Sequence, residues 1–270
     1  MAEALNTIPI KVFRYRPDLG KPWYDTYEVP YGTDTSIVEA LNWIKDNEDP
    51  SLTFRWSCRM GVCGSCGMMV NHVPRLGCET FVRNYAATGL TIDPLENFDV
   101  ERDLVVDMAP FLKALHAVKP WVIPGRGAPD GSPGREGNNQ TPAQMLDYAS
   151  YAKCINCLLC YSACPQVGLK SNFLGPAAIT AAVRYTDDSR DHGFYKRLPV
   201  LDRADGIWPC TFVGACSIVC PKGVDPAAAI QQAKVMVTLA SAKEFMDPGQ
   251  GHHHKVAPNF VDPRYVEDVR

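Results

Sequence analysis

The first hundred residues show the apolar patterns of short strands and of one amphipathic helix. The segments "IPIKVFRYR" (8–16) and "PWYDTYEVP" (22–30) are rich in β-branched and aromatic residues, which predicts two strands. In "TSIVEALNWIKDN" (35–47) the apolar residues recur at helical spacing, and Ser36 with Glu39 forms a capping box. The pattern therefore predicts two strands followed by a helix.

Three further patterns extend this first part of the chain. "GMMVNHVPRL" (67–76) predicts a hairpin, and "LTIDP" (90–94) predicts a closing strand. "RDLVVDMAPFLKALHAV" (102–118) carries an apolar stripe and predicts a helix that leads away from the strands. The predicted order of elements is that of a plant-type ferredoxin sheet: two strands, a helix, a cysteine-rich loop and further strands.

After residue 118 the pattern changes from strands to loops and helices. "KPWVIPGRGAPDGSPGREGNNQTP" is dense in Pro, Gly and Asn and predicts an irregular connection, either a solvated linker or a subunit contact. Helices are then predicted over 141–154, 175–188 and 225–246, the last with Asp225 as N-cap and Pro226 in its first turn. The tail lacks a periodic pattern, and its three histidines, His252–His254, are interpreted as solvated rather than metal-binding.

The composition excludes several classes of protein. Lys and Arg (27) nearly balance Asp and Glu (30), so no basic excess indicates binding to nucleic acid. The first residues resemble neither a secretory signal nor a transit peptide, which favours a prokaryotic, unexported protein. No run of about 18 apolar residues predicts a membrane span. In a reducing compartment, eleven clustered cysteines indicate metal ligation rather than disulfides.

The first cysteine group has the spacing C-x4-C-x2-C with a fourth cysteine further along. Its members are Cys58, Cys63, Cys66 and Cys78. This spacing is typical of a plant-type [2Fe–2S] cluster, and the glycines between the ligands allow the backbone to wrap closely around it. A structural zinc site is the alternative, but zinc sites usually combine two well-separated cysteine pairs.

The second and third groups are read together, because each resembles the run C-x2-C-x2-C-x3-C-P. In two-cluster proteins the fourth cysteine of such a run ligates the other cluster. One cluster, predicted to be [4Fe–4S], then takes Cys154, Cys157, Cys160 and Cys220. The other is left with Cys164, Cys210 and Cys216, because Val213 stands where a fourth cysteine is expected.

Three thiolates support three irons, so the second cluster is predicted to be [3Fe–4S]. The alternative is a non-cysteine ligand that keeps the fourth iron. No His or carboxylate lies between Cys210 and Cys216 to serve as a local substitute. Since the chain also lacks a dinucleotide fingerprint and a P-loop, the three clusters indicate a relay of single electrons rather than a substrate-activating site.

The motifs "SCRMGVCGSCGMMVN", "CINCLLCYSACP", "DSRDHG" and "CTFVGACSIVCPKGVDPAAAIQQAK" resemble those of the iron–sulfur subunits of succinate dehydrogenase and fumarate reductase. The resemblance covers about residues 8 to 245, and "CTFVG" and "DPAAAIQQ" place it nearest the bacterial fumarate reductase branch. It implies an α+β chain, with a β-grasp plant-type ferredoxin domain followed by a mainly α-helical domain resembling bacterial ferredoxin. The expected divisions are a [2Fe–2S] domain at 1–118, a connection at 119–143, the helical domain at 144–248 and a tail at 249–270.

The resemblance also implies partners. A flavoprotein subunit would carry covalent FAD and the dicarboxylate site, and one or two membrane-anchor subunits would hold quinone, with or without haem. The chain would then lie peripherally on the cytoplasmic face of a prokaryotic membrane, relaying electrons between FAD and quinone. The alternatives are a soluble subunit of a thiol-dependent fumarate reductase or another flavoenzyme, and a zinc-stabilised interaction protein.

Quinone-site residues follow from the same resemblance. The positions that match are Pro165, Thr211, Phe212, Gln231 and Lys234. A lysine ammonium can donate a hydrogen bond to a quinone oxygen, although a solvated helix residue is the alternative for Lys234. The succinate dehydrogenase branch has Trp and His where this chain has about Leu169 and Thr211, which favours a pocket of the fumarate reductase type.

Overall fold

The computed structural model of the chain describes residues 6–124, 139–169 and 172–246. The described residues fall into two units, of which the first comprises 6–110, 153–169 and 214–224 and the second comprises 111–124, 139–152, 172–213 and 225–246. Most of the predicted connection and the whole predicted tail, with His252–His254, lie outside the described residues.

A five-stranded sheet with one helix on it forms the body of the first unit. Its strands are β1 (Asn6–Arg14), β2 (Trp23–Tyr31), β3 (Gly67–Val70), β4 (Val73–Leu76) and β5 (Leu90–Asp93), in the spatial order β2-β1-β5-β3-β4. β1 pairs antiparallel with β2 and parallel with β5. These strands confirm the sequence prediction.

Helix α1 (Ile37–Asn47) covers the sheet with one apolar face. Ile37, Leu41 and Ile44 are buried in the same core as the inward-facing residues of β1. The predicted capping box is present, because the Ser36 side chain accepts from the Glu39 N–H while the Glu39 carboxylate accepts from the Ser36 N–H. Local sequence signals therefore determine where this helix begins.

The predicted helix over 102–118 is wrong in its first half. Residues 100–106 instead form a small antiparallel pair, β6 (Val100–Arg102) and β7 (Val105–Val106), and helix α2 spans only Ala109–Ala117. The cause is Asp103, which is fully buried at φ 46° and accepts hydrogen bonds from the Arg14 Nε–H, Tyr15 N–H and Thr53 N–H groups. These long-range bonds outweigh the local helical pattern.

Three one-turn helices lie within the second and third cysteine groups or directly after them. They are α4 (Leu159–Ser162), α5 (Pro165–Gly168) and α8 (Ala215–Ile218). The sequence analysis did not predict them, because a single turn is too short to show a periodic pattern.

The second unit is helical, which confirms the predicted α+β class. It contains α3 (Pro142–Ala149), α6 (Pro176–Thr186), α7 (Phe194–Leu201) and α9 (Pro226–Met246). Buried alanines on α6 and α9, among them Ala182 and Ala229, allow the two helices to pack closely. Helix α3 is shorter than predicted, since a separate 3-10 turn at Tyr151–Lys153 precedes the second cysteine group.

Candidate metal centres

The first cysteine group lies in a loop whose backbone points N–H groups at sulfur atoms. The Met60 and Val62 N–H groups each donate to Cys58 Sγ at 3.4 Å, and the Gly61 N–H donates to Cys78 Sγ at 3.3 Å. Gly61 has φ 68°, a left-handed conformation that glycine adopts without strain. Donors converging on sulfur stabilise negative charge there, which an anionic iron–sulfur cluster requires.

The four sulfurs of this group divide into a more exposed pair and a buried pair. Hydrogen bonds from the Ser65 hydroxyl and from Cys58 lower the pKa of Cys63 to about 6. Burial raises the pKa of Cys66 to about 12, and Cys66 Sγ lies 3.3 Å from Cys78 Sγ. A [2Fe–2S] cluster gives two thiolates to each iron, so this division into pairs fits such a cluster.

Among residues 6–124, 139–169 and 172–246, no three His, Cys, Asp or Glu side chains converge on a point suited to one metal ion.

Two glycines of the first loop lie directly against the second cysteine group. A Cβ atom on Gly64 would lie 2.5 Å from the Ile155 carbonyl oxygen, and a Cβ on Gly67 would lie 2.8 Å from the Cys157 carbonyl oxygen. Both approaches are between backbone segments of the first unit. The glycines thus bring the first two cysteine groups close together.

The four cysteines predicted to hold [4Fe–4S], Cys154, Cys157, Cys160 and Cys220, all belong to the first unit. Burial, with smaller contributions from the nearby Cys154 and Cys220 thiols, raises the pKa of Cys157 to about 11. Burial likewise raises the pKa of Cys160 well above its usual value, with the same neighbours and Cys216 contributing. Because thiols bind iron as thiolates, a positively charged iron centre is what would keep these half-buried sulfurs deprotonated.

Asn97 supports this region from the ferredoxin sheet side of the unit, a role the sequence analysis missed. Its Nδ2 donates to the carbonyl oxygens of Tyr161, Ser162 and Cys164, at 3.0, 2.9 and 3.3 Å. The Tyr161 and Cys164 carbonyl oxygens also accept from the Cys164 and Gly168 N–H groups, respectively, so Asn97 adds a side-chain contact at the junction of α4 and α5. A single Asn between "LE" and "FD" carries no sequence signal for this contact.

The predicted [3Fe–4S] ligands do not all lie in one unit. Cys164 and Cys216 belong to the first unit and are buried, whereas Cys210 belongs to the second. Val213, at the position of the missing cysteine, is exposed. The joint ligation by these three cysteines stays a prediction.

Within the second unit, two of the predicted quinone-site residues contact Cys210. Lys234 Nζ donates to the Cys210 carbonyl oxygen at 2.7 Å, and Gln231 Nε2 lies 3.9 Å from Cys210 Sγ. Thr211 and Phe212 follow Cys210 and are exposed, Phe212 with a left-handed φ of 60°. Pro165 lies in the first unit, as the first residue of α5.

No helix in the described part of the chain is both long and apolar enough to cross a membrane. A ferredoxin-like sheet has three thiols in one loop and a fourth, Cys78, just after β4, and short helices lie beside further cysteines. This combination defines an iron–sulfur electron-transfer protein.

Comparisons with known proteins narrow this class. Residues 9–113 match the family model of a 2Fe-2S iron-sulfur cluster binding domain, and residues 150–224 match that of a 4Fe-4S dicluster domain. The chain is 54% identical to the fumarate reductase iron-sulfur subunit of Escherichia coli O6:H1, over 91% of this chain and 97% of that protein. It is 46% identical to the corresponding Mycobacterium tuberculosis subunit, over 92% and 99%.

More distant relatives agree. The chain is 36% identical to a mitochondrial succinate dehydrogenase iron-sulfur subunit of Oryza sativa, over 85% of this chain and 82% of that protein. A chain of the Mycobacterium smegmatis Sdh1 complex shares the fold, with a TM-score of 0.77 at 23% identity, over 88% of this chain and 98% of that one. The chain belongs to the family of iron–sulfur subunits of fumarate reductase and succinate dehydrogenase, as its motifs predicted.

The predicted cofactors and class of enzyme are confirmed at the level of the family. The chain is an iron–sulfur subunit of an oxidoreductase complex, with a 2Fe-2S and a 4Fe-4S domain, and its family also carries a [3Fe–4S] cluster. Flavoprotein and membrane-anchor subunits are the partners of this family.

Proposed function

We propose that this chain relays single electrons between the FAD of a flavoprotein subunit and a quinone held by a membrane anchor, on the cytoplasmic face of a prokaryotic membrane. The observation that carries the proposal is the division of eleven cysteines into three groups, each with the spacing of an iron–sulfur ligand set. The clusters supply one-electron chemistry. The protein supplies the thiolate ligands and, through Gly64 and Gly67, the close approach of the first two cysteine groups.

The ligand assignment is part of this proposal. Cys58, Cys63, Cys66 and Cys78 hold [2Fe–2S]; Cys154, Cys157, Cys160 and Cys220 hold [4Fe–4S]; and Cys164, Cys210 and Cys216 hold [3Fe–4S]. The short distance between the Cys66 and Cys78 sulfurs supports the first assignment. The second is supported by Cys157 and Cys160, because neighbouring thiols contribute to the raised pKa of each. The third rests on the cysteine spacing and on Val213.

Low-temperature EPR of the purified, air-oxidised complex tests the assignment. An oxidised [3Fe–4S] cluster is paramagnetic, whereas oxidised [2Fe–2S] and low-potential [4Fe–4S] clusters are silent. We expect one signal of about one spin per chain, abolished by succinate, and about nine irons per chain. A silent sample with about ten irons would contradict the three-iron assignment.

A matched pair of variants sharpens this test. Val213→Cys supplies the missing thiolate, so the oxidised signal should be lost and the iron content should rise to about ten per chain. Val213→Ala removes a similar amount of apolar surface without adding a ligand and should keep the signal. If both variants keep the signal, position 213 does not face the cluster.

The quinone site is proposed to include Pro165, Thr211, Phe212, Gln231 and Lys234. Its strongest support is the Lys234 ammonium, which is held at the Cys210 carbonyl and has two further N–H groups to offer. One of these can stabilise the negative charge that develops on a reduced quinone oxygen.

Replacing Lys234 by Gln should therefore slow electron transfer to quinone about tenfold, which corresponds to about 1.4 kcal/mol of barrier. Electron transfer from succinate to a soluble one-electron acceptor should be unchanged, because that acceptor needs no quinone site. Lys113→Gln, which removes an exposed lysine of helix α2, is the control. Equal losses with both acceptors would indicate damage to the clusters rather than to a quinone site.

A further inference from the structure

An ion pair joins the segments that carry a proposed [2Fe–2S] ligand and a proposed [4Fe–4S] ligand, and it has no part in the assignments above. Glu79 directly follows Cys78, and Lys222 lies two residues after Cys220. Both belong to the first unit, and Lys222 Nζ lies 3.7 Å from Glu79 Oε1. The negative charge of Glu79 thus lies next in sequence to a proposed [2Fe–2S] ligand, and the positive charge of Lys222 lies close in sequence to a proposed [4Fe–4S] ligand.

The Glu79 carboxylate is held over the first cysteine loop. It occupies the space in which a Cβ atom of Gly61 would lie, so a larger residue at 61 would collide with it. The Gly61 N–H in turn donates to Cys78 Sγ at 3.3 Å. The Glu79 carboxylate therefore lies against the residue whose N–H donates to a proposed [2Fe–2S] ligand.

Lys222 brings a positive charge to the loop that contains Cys220. Its side chain is 25% exposed, compared with 42% for Glu79, so both charges are partly withdrawn from water. An interaction across protein of low polarizability is stronger than one across bulk water, and salt screens it less.

We propose that Glu79 and Lys222 set the reduction potentials of the two centres in opposite directions, Glu79 lowering that of the [2Fe–2S] centre and Lys222 raising that of the [4Fe–4S] centre. Adding an electron makes a cluster more negative, so a nearby carboxylate opposes reduction and a nearby ammonium favours it. This inference rests on the proposed ligand assignment for the two centres. Its effect is to raise the potential of the [4Fe–4S] centre relative to that of the [2Fe–2S] centre.

The test is a redox titration of the full complex, followed by EPR of each centre. Glu79→Gln should raise the potential of the [2Fe–2S] centre by a threefold to tenfold change in the reduction equilibrium, about 30–60 mV at 59 mV per tenfold. Lys222→Gln should lower the potential of the [4Fe–4S] centre by a similar amount. Glu28→Gln is the control, because it removes the same charge from β2, at the opposite edge of the sheet from β4.

Exchange of the two charges separates electrostatics from structure. The double variant Glu79→Lys with Lys222→Glu keeps an ion pair but reverses the charge beside each centre. We expect the [2Fe–2S] potential to rise and the [4Fe–4S] potential to fall, each by more than in the single variants. Wild-type potentials in the exchanged variant would overturn the proposal, because they would show that the pair acts only as a structural link.

EPR spectra of the reduced wild-type complex test the ligand assignment separately from the role of the ion pair. Absence of the [2Fe–2S] and [4Fe–4S] signals from reduced wild-type complex would refute the ligand assignment itself. Intact signals whose potentials match wild type in both single variants would refute only the role of Glu79 and Lys222.

Discussion

Single glycines and buried carboxylates decide how the cysteine loops are placed. Gly64 is the clearest case, since it has φ 74° and lies against the Ile155 carbonyl oxygen. The Asp103 carboxylate also helps to place this loop, although it is remote in sequence. It accepts a hydrogen bond from the Thr53 N–H and so fixes the start of the segment that leads to Cys58. At this scale the electron-transfer centres depend on residues that never touch iron.

The Gly64→Ala variant tests how far stability and iron loading depend on the close approach of Gly64 to the Ile155 carbonyl oxygen. The added methyl group would strain a left-handed backbone, at about 1–3 kcal/mol, and would also press on the Ile155 carbonyl. We expect a lower denaturation temperature and incomplete iron loading of the second cysteine group. Gly89→Ala is the matched control, because Gly89 has the same φ of 74° with nothing within 4 Å of the added Cβ. Equal losses in both variants would show that backbone strain alone is responsible.

Buried ion pairs join the helices of the second unit to the loops between them. Arg197 on α7 is fully buried and pairs with Asp191 at 2.6 Å. The same guanidinium donates to the carbonyl oxygens of Val118, Lys119 and Trp121. One side chain thus holds the segment after α2 and the loop before α7 against each other.

Removal of the Arg197 guanidinium should substantially lower the free energy of unfolding. Arg197→Met leaves the Asp191 carboxylate buried without its partner, for which about 3–5 kcal/mol of unfolding free energy is typical. Urea denaturation of the purified chain measures the loss. Arg203→Gln is the control, because the Arg203–Asp205 pair is partly exposed and should contribute less than about 1 kcal/mol. A similar loss in both variants would argue against a special role of burial.

The loop between α6 and α7 should make stability depend on pH. A hydrogen bond from Arg190, together with the nearby Arg184 charge, lowers the pKa of the buried Asp188 carboxyl. A folded-state pKa below the unfolded value of about 3.9 stabilises the fold above that pH, and the contribution is lost as pH falls through the folded pKa. The difference in unfolding free energy between wild type and Asp188→Asn should therefore shrink as the pH is lowered from 6 towards about 3. A constant difference across that range would contradict this account.

At the scale of the whole molecule, the cysteine-rich segments have little regular structure of their own. Residues 53–66 contain no helix or strand, and the second and third groups have only the one-turn helices α4, α5 and α8. The apolar core of the sheet, by contrast, is built from residues of β1, β5 and α1 that do not ligate iron. Iron is thus expected to order the loops more than the sheet.

Removal of iron by anaerobic chelation tests this division. Ligand-coupled segments lose order when their metal is removed, so limited proteolysis should first cut within 53–66 and 154–164. The far-ultraviolet circular dichroism of the sheet should be largely retained at that stage. Simultaneous loss of all secondary structure would show instead that the clusters hold the sheet together.

Local signals in the sequence were sufficient for much of the fold. The strand patterns predicted β1 to β5, and the Ser36 capping box predicted the start of α1. The cysteine spacing predicted the classes of cluster, because ligand spacing is a local property of the chain. The domain boundaries at 118, 143 and 248, all three ligand sets and the quinone-site residues stay predictions.

Tertiary structure decided what depends on residues far apart in the chain. Asp103 converts a helical pattern into a strand pair because its hydrogen-bond partners lie up to 89 residues away. Asn97, Gly64 and the Glu79–Lys222 pair act in the same way, across contacts that no local pattern encodes. The sequence by itself determined which side chains can bind iron, since residue type and cysteine spacing are properties of short segments of the chain. Their packing, exposure and charge environment were decided by the fold, because these arise only where distant segments meet.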